Sequence, residues 1–357
     1  MAEGVHHRVR VALIGTGVEP IPPTGYGGVE RTLAELAEAL TEAGEEVRVV
    51  QSGHTGTSLG EYWFSLELPG LLGRTAYDVV HASTPVVANR LAVEGIPFVY
   101  TTHSRHWFVR EGLRQRWGAY LERRAVRQSA HTIALTPRIA ERLRAEVPRL
   151  PADHVTVIPI GVDPRRFAPS WSERTGVRAL GVGVVAPIKR WELAARCLQD
   201  TGLALRIAGP MQDAGYAAAV RAAGEDVELL GEVDDHRLAS LYAESDLYVH
   251  PSAVELLPGA VLQAMASGLP VLGTEAVQGL VTDGVTGYTT PPGATADRIV
   301  GALHGHAMRL ANDAVERRRL GEAARERAVT DFSWPVVAAA HQALYRKLLA
   351  GGALSRR

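Results

Sequence analysis

Cysteine is nearly absent: among 357 residues only Cys197 occurs. An internal disulfide framework and a zinc site of clustered cysteines are thereby excluded, and a chain without disulfides suits a reducing compartment. Cys197 lies in the helical-looking stretch RWELAARCLQD, where burial is expected rather than reactivity. Neither sign of charge dominates. The formal net charge is -1, which excludes the strongly basic profile of a nucleic-acid binder and names no partner by bulk charge. Long apolar runs are missing too, with no segment reaching the roughly 18 residues that span a bilayer. The leading MAEGVHHRVRVALIG has no apolar stretch of signal-peptide length. A cytoplasmic protein is expected, with peripheral membrane contact left open. There is no short internal repeat and no low-complexity tract.

What is present is an alternation of two periods. Short β-branched runs are interleaved with longer stretches of helical period, which marks parallel sheets covered by helices, an α/β fold. In the first half the strand candidates are VRVALIG, EEVRVVQ, YDVVHAS, PFVYTTH, HTIALT and HVTVIPIG. Val29, Leu33, Leu36 and Leu40 fall on one helical face, and Gly44 supplies a stop, so the first two strands frame one βαβ unit. The pattern restarts with RALGVGVV, ALRIAG, VELLGEV, DLYVHPS and LPVLGT, with helical segments such as DHRLASLYAES between them. Between the halves, residues 161–176 (GVDPRRFAPSWSERTG) lack periodicity and read as a linker. Length and pattern together predict two doubly wound domains with an interdomain cleft at the carboxyl ends of both sheets, where such folds bind ligands.

Three features belong to such a site. Gly25, Gly27 and Gly28 lead into a helix whose free N–H groups and dipole favour an anion, a phosphate or carboxylate. The spacing is not that of a P-loop. Nor is it the dinucleotide fingerprint, because Gly15-x-Gly17 is followed by Glu19 and Pro20 where a third glycine is needed. Lys189 stands beside the start of a helix at the end of the strand ALGVGVV, placed to neutralise a diphosphate. In VELLPGAVLQAMASGLPVLG, Pro258 suits a helix's first turn, Gly268 ends that helix, and Glu255 precedes it at its positive pole. The segment VDDH and the pair His6–His7 are read as surface rather than as metal ligands.

Taken together, GYGGVERTLAELAEALTEAGEEV, VTVIPIGVDPRRFAP, ESDLYVHPSAVELLPGAVLQAMASGLPVLGT, LVTDGVTGYTTPPG and FSWPVVAAAHQALY resemble, in order and over nearly the whole chain, glycosyltransferase family 4, retaining enzymes of the GT-B fold. The resemblance implies two Rossmann-like domains. Residues 1–165 would mainly bind acceptor, residues 176–330 would bind a nucleotide-sugar donor, and residues 331–357 would form C-terminal helices packing back toward the first domain. It implies a metal-independent transfer with no cofactor besides the nucleotide diphosphate sugar as co-substrate, in keeping with the absence of any Asp-x-Asp. Residue by residue, it places Gly27 and Gly28 near the donor phosphates, His103 facing the transferred sugar, and Lys189 on the diphosphate. Glu255 falls on the sugar hydroxyls as the first glutamate of a Glu-x7-Glu motif, and Leu257, Gly259 and Gln263 complete the donor set. His103, Lys189 and Glu255 are the catalytic residues so implied.

The departures are specific. The family usually has Arg at Val184, Asn at Ile160, Gly at Pro258, and a second glutamate at Gln263, while Gly279 stands where another glutamate is common. A carboxylate can accept from two ribose hydroxyls at once, whereas Gln263 offers one acceptor oxygen and two donors. The change replaces a charge-assisted bond by a neutral one, a loss of roughly 1 kcal/mol. The leading expectation is retaining transfer to a small secondary metabolite or an envelope precursor. The alternatives are a GT-B protein of another class, such as a nucleotide-sugar epimerase or phosphorylase, and a catalytically impaired relative that binds without transfer.

Residues 103–131 are locally basic, with Arg105, Arg110, Arg114, Arg116, Arg123, Arg124 and Arg127 against Glu111 and Glu122, and with Trp107, Phe108, Leu113, Trp117 and Tyr120 interleaved. One reading is a helix packing its aromatics into the core. The other is a surface meeting an anionic membrane or acceptor.

Overall fold

A computed structural model describes residues 8–25, 27–51, 60–73, 76–103, 112–171 and 176–355, the side chain of residue 114 excepted. The chain divides into two compact units, Met1–Gly161 with Trp334–Arg357, and Val162–Ser333. No helix among the described residues is long and apolar enough to cross a membrane.

Unit 1 is built on β1 (Arg10–Ile14), β2 (Glu46–Val50), β3 (Val79–Ala82), β4 (Val99–Thr101), β5 (His131–Ala134) and β6 (Val155–Val157). They form one parallel sheet in the order β2-β1-β3-β4-β5-β6. The central strands are apolar on both faces because helices cover both sides. Those helices are α1 (Gly28–Glu42), α2 (Gly60–Leu72), α3 (Pro85–Val93), α4 (Gly112–Gln128), α5 (Pro137–Glu146) and, from the far end of the chain, α12 (Trp334–Ala350). α1 buries Leu33, Leu36, Ala39 and Leu40 and stops before Gly44, whose φ of 96° takes the left-handed turn. Its first turn differs from the expected apolar face: Glu30 is buried, with Val29 only half-buried. The reason is a hydrogen bond from Thr16 Oγ1 to Glu30 Oε1 at 2.6 Å.

α12 completes this core with Trp334, Val337, Ala338, Leu344, Tyr345 and Leu348. Trp334 lies flat on Gly161, where a Cβ would come within 2.3 Å of the indole. The buried Glu45 carboxylate accepts from Val9 N at 2.7 Å and Gln342 Nε2 at 2.8 Å, and it pairs with Arg346. Deeper in, His81 Nδ1 lies 2.7 Å from Tyr345 Oη and Nε2 lies 2.7 Å from Thr101 Oγ1. The helix is thus tied to β3 and β4 by polar bonds to the buried ring.

Unit 2 carries β7 (Val177–Val182), β8 (Leu203–Ala208), β9 (Val227–Gly231), β10 (Leu247–His250), β11 (Val271–Gly273) and β12 (Gly287–Thr289). This sheet is also parallel, in the order β12-β11-β10-β7-β8-β9. β12 is an addition to the strands read from the sequence, its Gly-Tyr-Thr lying among glycines, threonines and prolines rather than in an apolar run. The helices are α6 (Trp191–Cys197), α7 (Ala214–Ala222), α8 (Asp235–Ala243), α9 (Gly259–Ala266), α10 (Ala296–Asn312) and α11 (Ala314–Phe332). The fully buried Trp191 and Cys197 sit in its core. Much of the expected linker is packed structure: Val162 bridges to Ser333, and the buried Phe167 meets Tyr242 edge-on at 5.5 Å.

His81 and His341 are both buried and their imidazoles are pushed down by burial, His341 to about 4. The unfolded chain takes up protons near the ordinary value of about 6.5, whereas the folded chain does not, so stability is whole above that pH and falls below it. Each ring contributes up to about 1.4 kcal/mol per pH unit in that window. Urea unfolding midpoints should therefore drop between about pH 7 and pH 5, above the range where carboxylates protonate. A midpoint that stays flat over that interval contradicts the burial of these rings.

Candidate active site

Each sheet has one place where neighbouring strands send their following loops in opposite directions, between β1 and β3 in unit 1 and between β7 and β10 in unit 2. Ligands in open parallel sheets bind at such points, beyond the carboxyl ends of the strands. In unit 2 the two loops concerned carry Lys189 and Glu255.

After β7 the backbone passes through Gly183 at φ 150° and the buried Val184, whose carbonyl accepts from Trp191 Nε1 at 3.0 Å. A 3-10 turn over Pro187–Lys189 follows, then Arg190 in the left-handed region at φ 51°, where α6 begins. Lys189 thus sits in the turn before the helix rather than at its first residue. Arg190 donates from Nε to Pro251 O and from Nη2 to Ser252 O, each at 2.9 Å, and Ala253 N donates to Ile188 O at 3.1 Å. These bonds lace the loop after β7 to the loop after β10. Gly209 permits the close approach beneath them: a Cβ there would lie 2.1 Å from the Gly183 carbonyl.

The lacing brings Lys189 Nζ into a short ion pair with Glu255 Oε1. The same oxygen lies 3.0 Å from Nε2 of His250, the last residue of β10. Both partners of the pair are 14% exposed. Burial alone would raise the Glu255 carboxyl; the hydrogen bond from His250 and the Lys189 ammonium outweigh it and hold the group well below the usual carboxylate range. Burial pushes His250 below its ordinary value, so its ring is neutral at neutral pH. A carboxylate only accepts, so Nε2 carries the proton, and the charge compensating Glu255 is that of Lys189.

Beyond Glu255 the chain runs through the buried Leu257 to Pro258, which flanks α9 with extended backbone rather than occupying its first turn. Val261 N already bonds Pro258 O at 3.0 Å, and Gly259 and Ala260 begin the helix. One turn on, the half-buried Gln263 presents Oε1 3.1 Å from Tyr242 Oη. That phenol also bonds Ala260 O at 2.9 Å, so two acceptors share a single proton. Gly268, at φ 70°, follows the end of the helix.

The remaining candidates lie in unit 1. A Cβ at Gly27 would come within 2.9 Å of Pro23 Cβ and 3.2 Å of Glu30 Oε2, whereas Gly28 has open space. The negative group held in the first turn of α1 is therefore the chain's own Glu30. His103 follows β4, half-buried, and burial pushes its ring down to about 4, leaving it neutral. It lines a small cavity with His81, Ser83, Thr101 and His341. At about 20 Å³ that cavity has room for one water molecule and none for a sugar.

His250, Arg190 and Tyr242 were not singled out in the sequence. His250 had a signal, a polar residue closing an otherwise apolar strand. Arg190 and Tyr242 had none, because their roles depend on loops and helices distant in sequence. Asp234 of VDDH caps α8, accepting from Arg237 N at 2.7 Å, while His6–His7 lie outside the described residues. Among the described residues no three His, Cys, Asp or Glu side chains converge on a metal-sized site.

Comparison with known proteins gives the family. Residues 26–166 match the family model Glycosyltransferase Family 4, and residues 183–305 match Glycosyl transferases group 1. A GDP-mannose-dependent alpha-mannosyltransferase of Mycobacterium tuberculosis is 31% identical over 73% of this chain and 70% of its own length. An MMP alpha-(1->4)-mannosyltransferase of Mycolicibacterium hassiacum is 27% identical over 80% of this chain and 75% of its own. Sucrose-phosphate synthase from Thermosynechococcus elongatus superposes with a TM-score of 0.82 at 22% identity, over 96% of this chain and 100% of that one. The architecture is that of a GT-B glycosyltransferase. The chain belongs to glycosyltransferase family 4.

Proposed function

We propose that this glycosyltransferase acts with retention and without a metal, moving a sugar from a nucleotide diphosphate sugar to a small-molecule or envelope-precursor hydroxyl. The observation that carries the reading is the half-buried Lys189–Glu255 pair at the switch point of unit 2. In this reading the Lys189 ammonium takes charge developing on the departing diphosphate. The open first turn of α9, at Gly259, adds backbone donors beside it. Glu255, kept ionised, accepts from sugar hydroxyls, and Leu257 walls the donor's position. Gln263 takes a ribose hydroxyl. In this reading the open space at Gly28, beside Gly27, takes a phosphate oxygen, and the neutral His103 gives a sugar hydroxyl an uncharged partner. The bond from the anomeric carbon to the phosphate oxygen breaks as the acceptor oxygen bonds on the same face. The acceptor's proton leaves with the phosphate, so no strong protein base is required.

Lys189→Ala and Glu255→Gln should each lower transfer on the order of a hundredfold or more with far-UV circular dichroism unchanged. Near-normal turnover in both variants would place the chemistry elsewhere. Chelation by EDTA should leave the rate unaltered, because the cation is a side chain; activity lost in EDTA and restored by magnesium or manganese contradicts that role. Gln263→Glu would restore a charge-assisted acceptor and tighten nucleoside diphosphate binding up to about tenfold, or roughly 1.4 kcal/mol. Calorimetry on the same donor decides it: markedly weaker binding by the glutamate variant means that the donor needs the amide.

A further inference from the structure

α4 presents its faces in an order opposite to that of a solvated amphipathic helix. Inward it buries Ala119, Glu122, Ala125 and Val126. Glu122 is the acidic residue of the helix, and it accepts from Tyr100 Oη at 2.8 Å and Thr102 Oγ1 at 2.5 Å. Outward, at helical spacing along one line, stand Leu113, Trp117 and Tyr120, which are 84%, 61% and 48% exposed. The two rings stack at 5.3 Å. The same line continues into Arg124 and Arg127, with the exposed Arg116 beside it. Trp117 and Tyr120, one reading of which put them in the core, are therefore outside, and the carboxylate is inside, while Trp107 and Phe108 lie outside the described residues.

Holding a tryptophan, a tyrosine and a leucine in water forgoes the stabilisation that burial would give, and such a patch marks a contact surface. A neighbouring helix repeats the feature: α2 exposes Tyr62, Trp63 and Leu66, and α3 packs against both α2 and α4. A second copy of the chain is a poor occupant, because the same face of its α4 offers no carboxylate to the arginines, Glu122 being buried. An anionic bilayer fits both halves of the line. Trp and Tyr settle at headgroup depth, and Arg pairs with lipid phosphate. We infer that the Leu113–Trp117–Tyr120–Arg124–Arg127 face of α4 docks unit 1 onto an anionic lipid surface.

Flotation of the full chain with phosphatidylcholine vesicles, with and without about a third phosphatidylglycerol, tests this. The wild type should float only with the anionic vesicles, and added salt should weaken it. Trp117→Ser/Tyr120→Ser and Arg116→Glu/Arg127→Glu should each reduce that binding by roughly tenfold or more, with thermal midpoints unchanged because these side chains are exposed. Transfer to a soluble acceptor should be unaffected, which separates this surface from the donor chemistry. The inference is overturned if the wild type does not float with anionic vesicles or if both double variants bind as it does. It is also overturned if sedimentation reveals a dimer that the variants dissolve, which would assign the face to a second copy.

Discussion

Glu255 is a carboxylate taken largely out of water, and a group so placed must have partners or lose its charge. Lys189 and His250 are those partners, and much of the surrounding structure exists to hold them there. The two guanidinium bonds of Arg190 fix one loop against the next, and Gly183 and Gly209 let the backbones beneath approach. Trp191 fills the space under the turn and bonds the Val184 carbonyl, so the turn that presents Lys189 is anchored in the core of unit 2. Opposite charges held in low dielectric, with one more hydrogen bond on the shared oxygen, form a preorganised arrangement, and in the proposed reading a diphosphate enters it by taking a share of the ammonium.

The location follows from topology. Parallel strands joined by right-handed crossovers send their connections to one side until the order reverses, and at the reversal two loops separate and leave a recess. In unit 2 those loops follow β7 and β10, the strands that deliver Lys189 and Glu255. Gln263 reaches the same side through α9, its amide already engaged with Tyr242. The phenol proton is shared there between Ala260 O at 2.9 Å and the Gln263 amide oxygen at 3.1 Å. The amide at 263 and the tyrosine beneath it thus work as a unit.

The strands of both sheets were legible because buried parallel strands are nearly unbroken β-branched runs, as in VRVALIG and DLYVHPS. Gly44 and Gly268 were legible as stops because both adopt positive φ. β12 was not, since its Gly-Tyr-Thr is set among glycines, threonines and prolines and reads as loop. Of the site, Lys189, Glu255 and Gln263 could be placed from motif resemblance. Their geometry could not, because the lacing by Arg190, the proton on His250 and the engagement of Gln263 by Tyr242 all depend on contacts distant in sequence. The burial of Glu30 was missed for a related reason: helical periodicity counts a glutamate as polar and outward, and Thr16 on another segment draws it in. The aromatics of α4 misled in the other direction, since hydrophobicity alone places Trp117 inside and the structure holds it out.

The central claim is that the ammonium of Lys189 is the partner of the donor diphosphate. A crystal structure with a bound nucleoside diphosphate tests it most directly. The expected result is a terminal phosphate oxygen within hydrogen-bond reach of Lys189 Nζ, about 2.7–3.2 Å, with Glu255 still paired to His250. Density for the diphosphate elsewhere in unit 2, with the Lys189–Glu255 pair untouched, would contradict it.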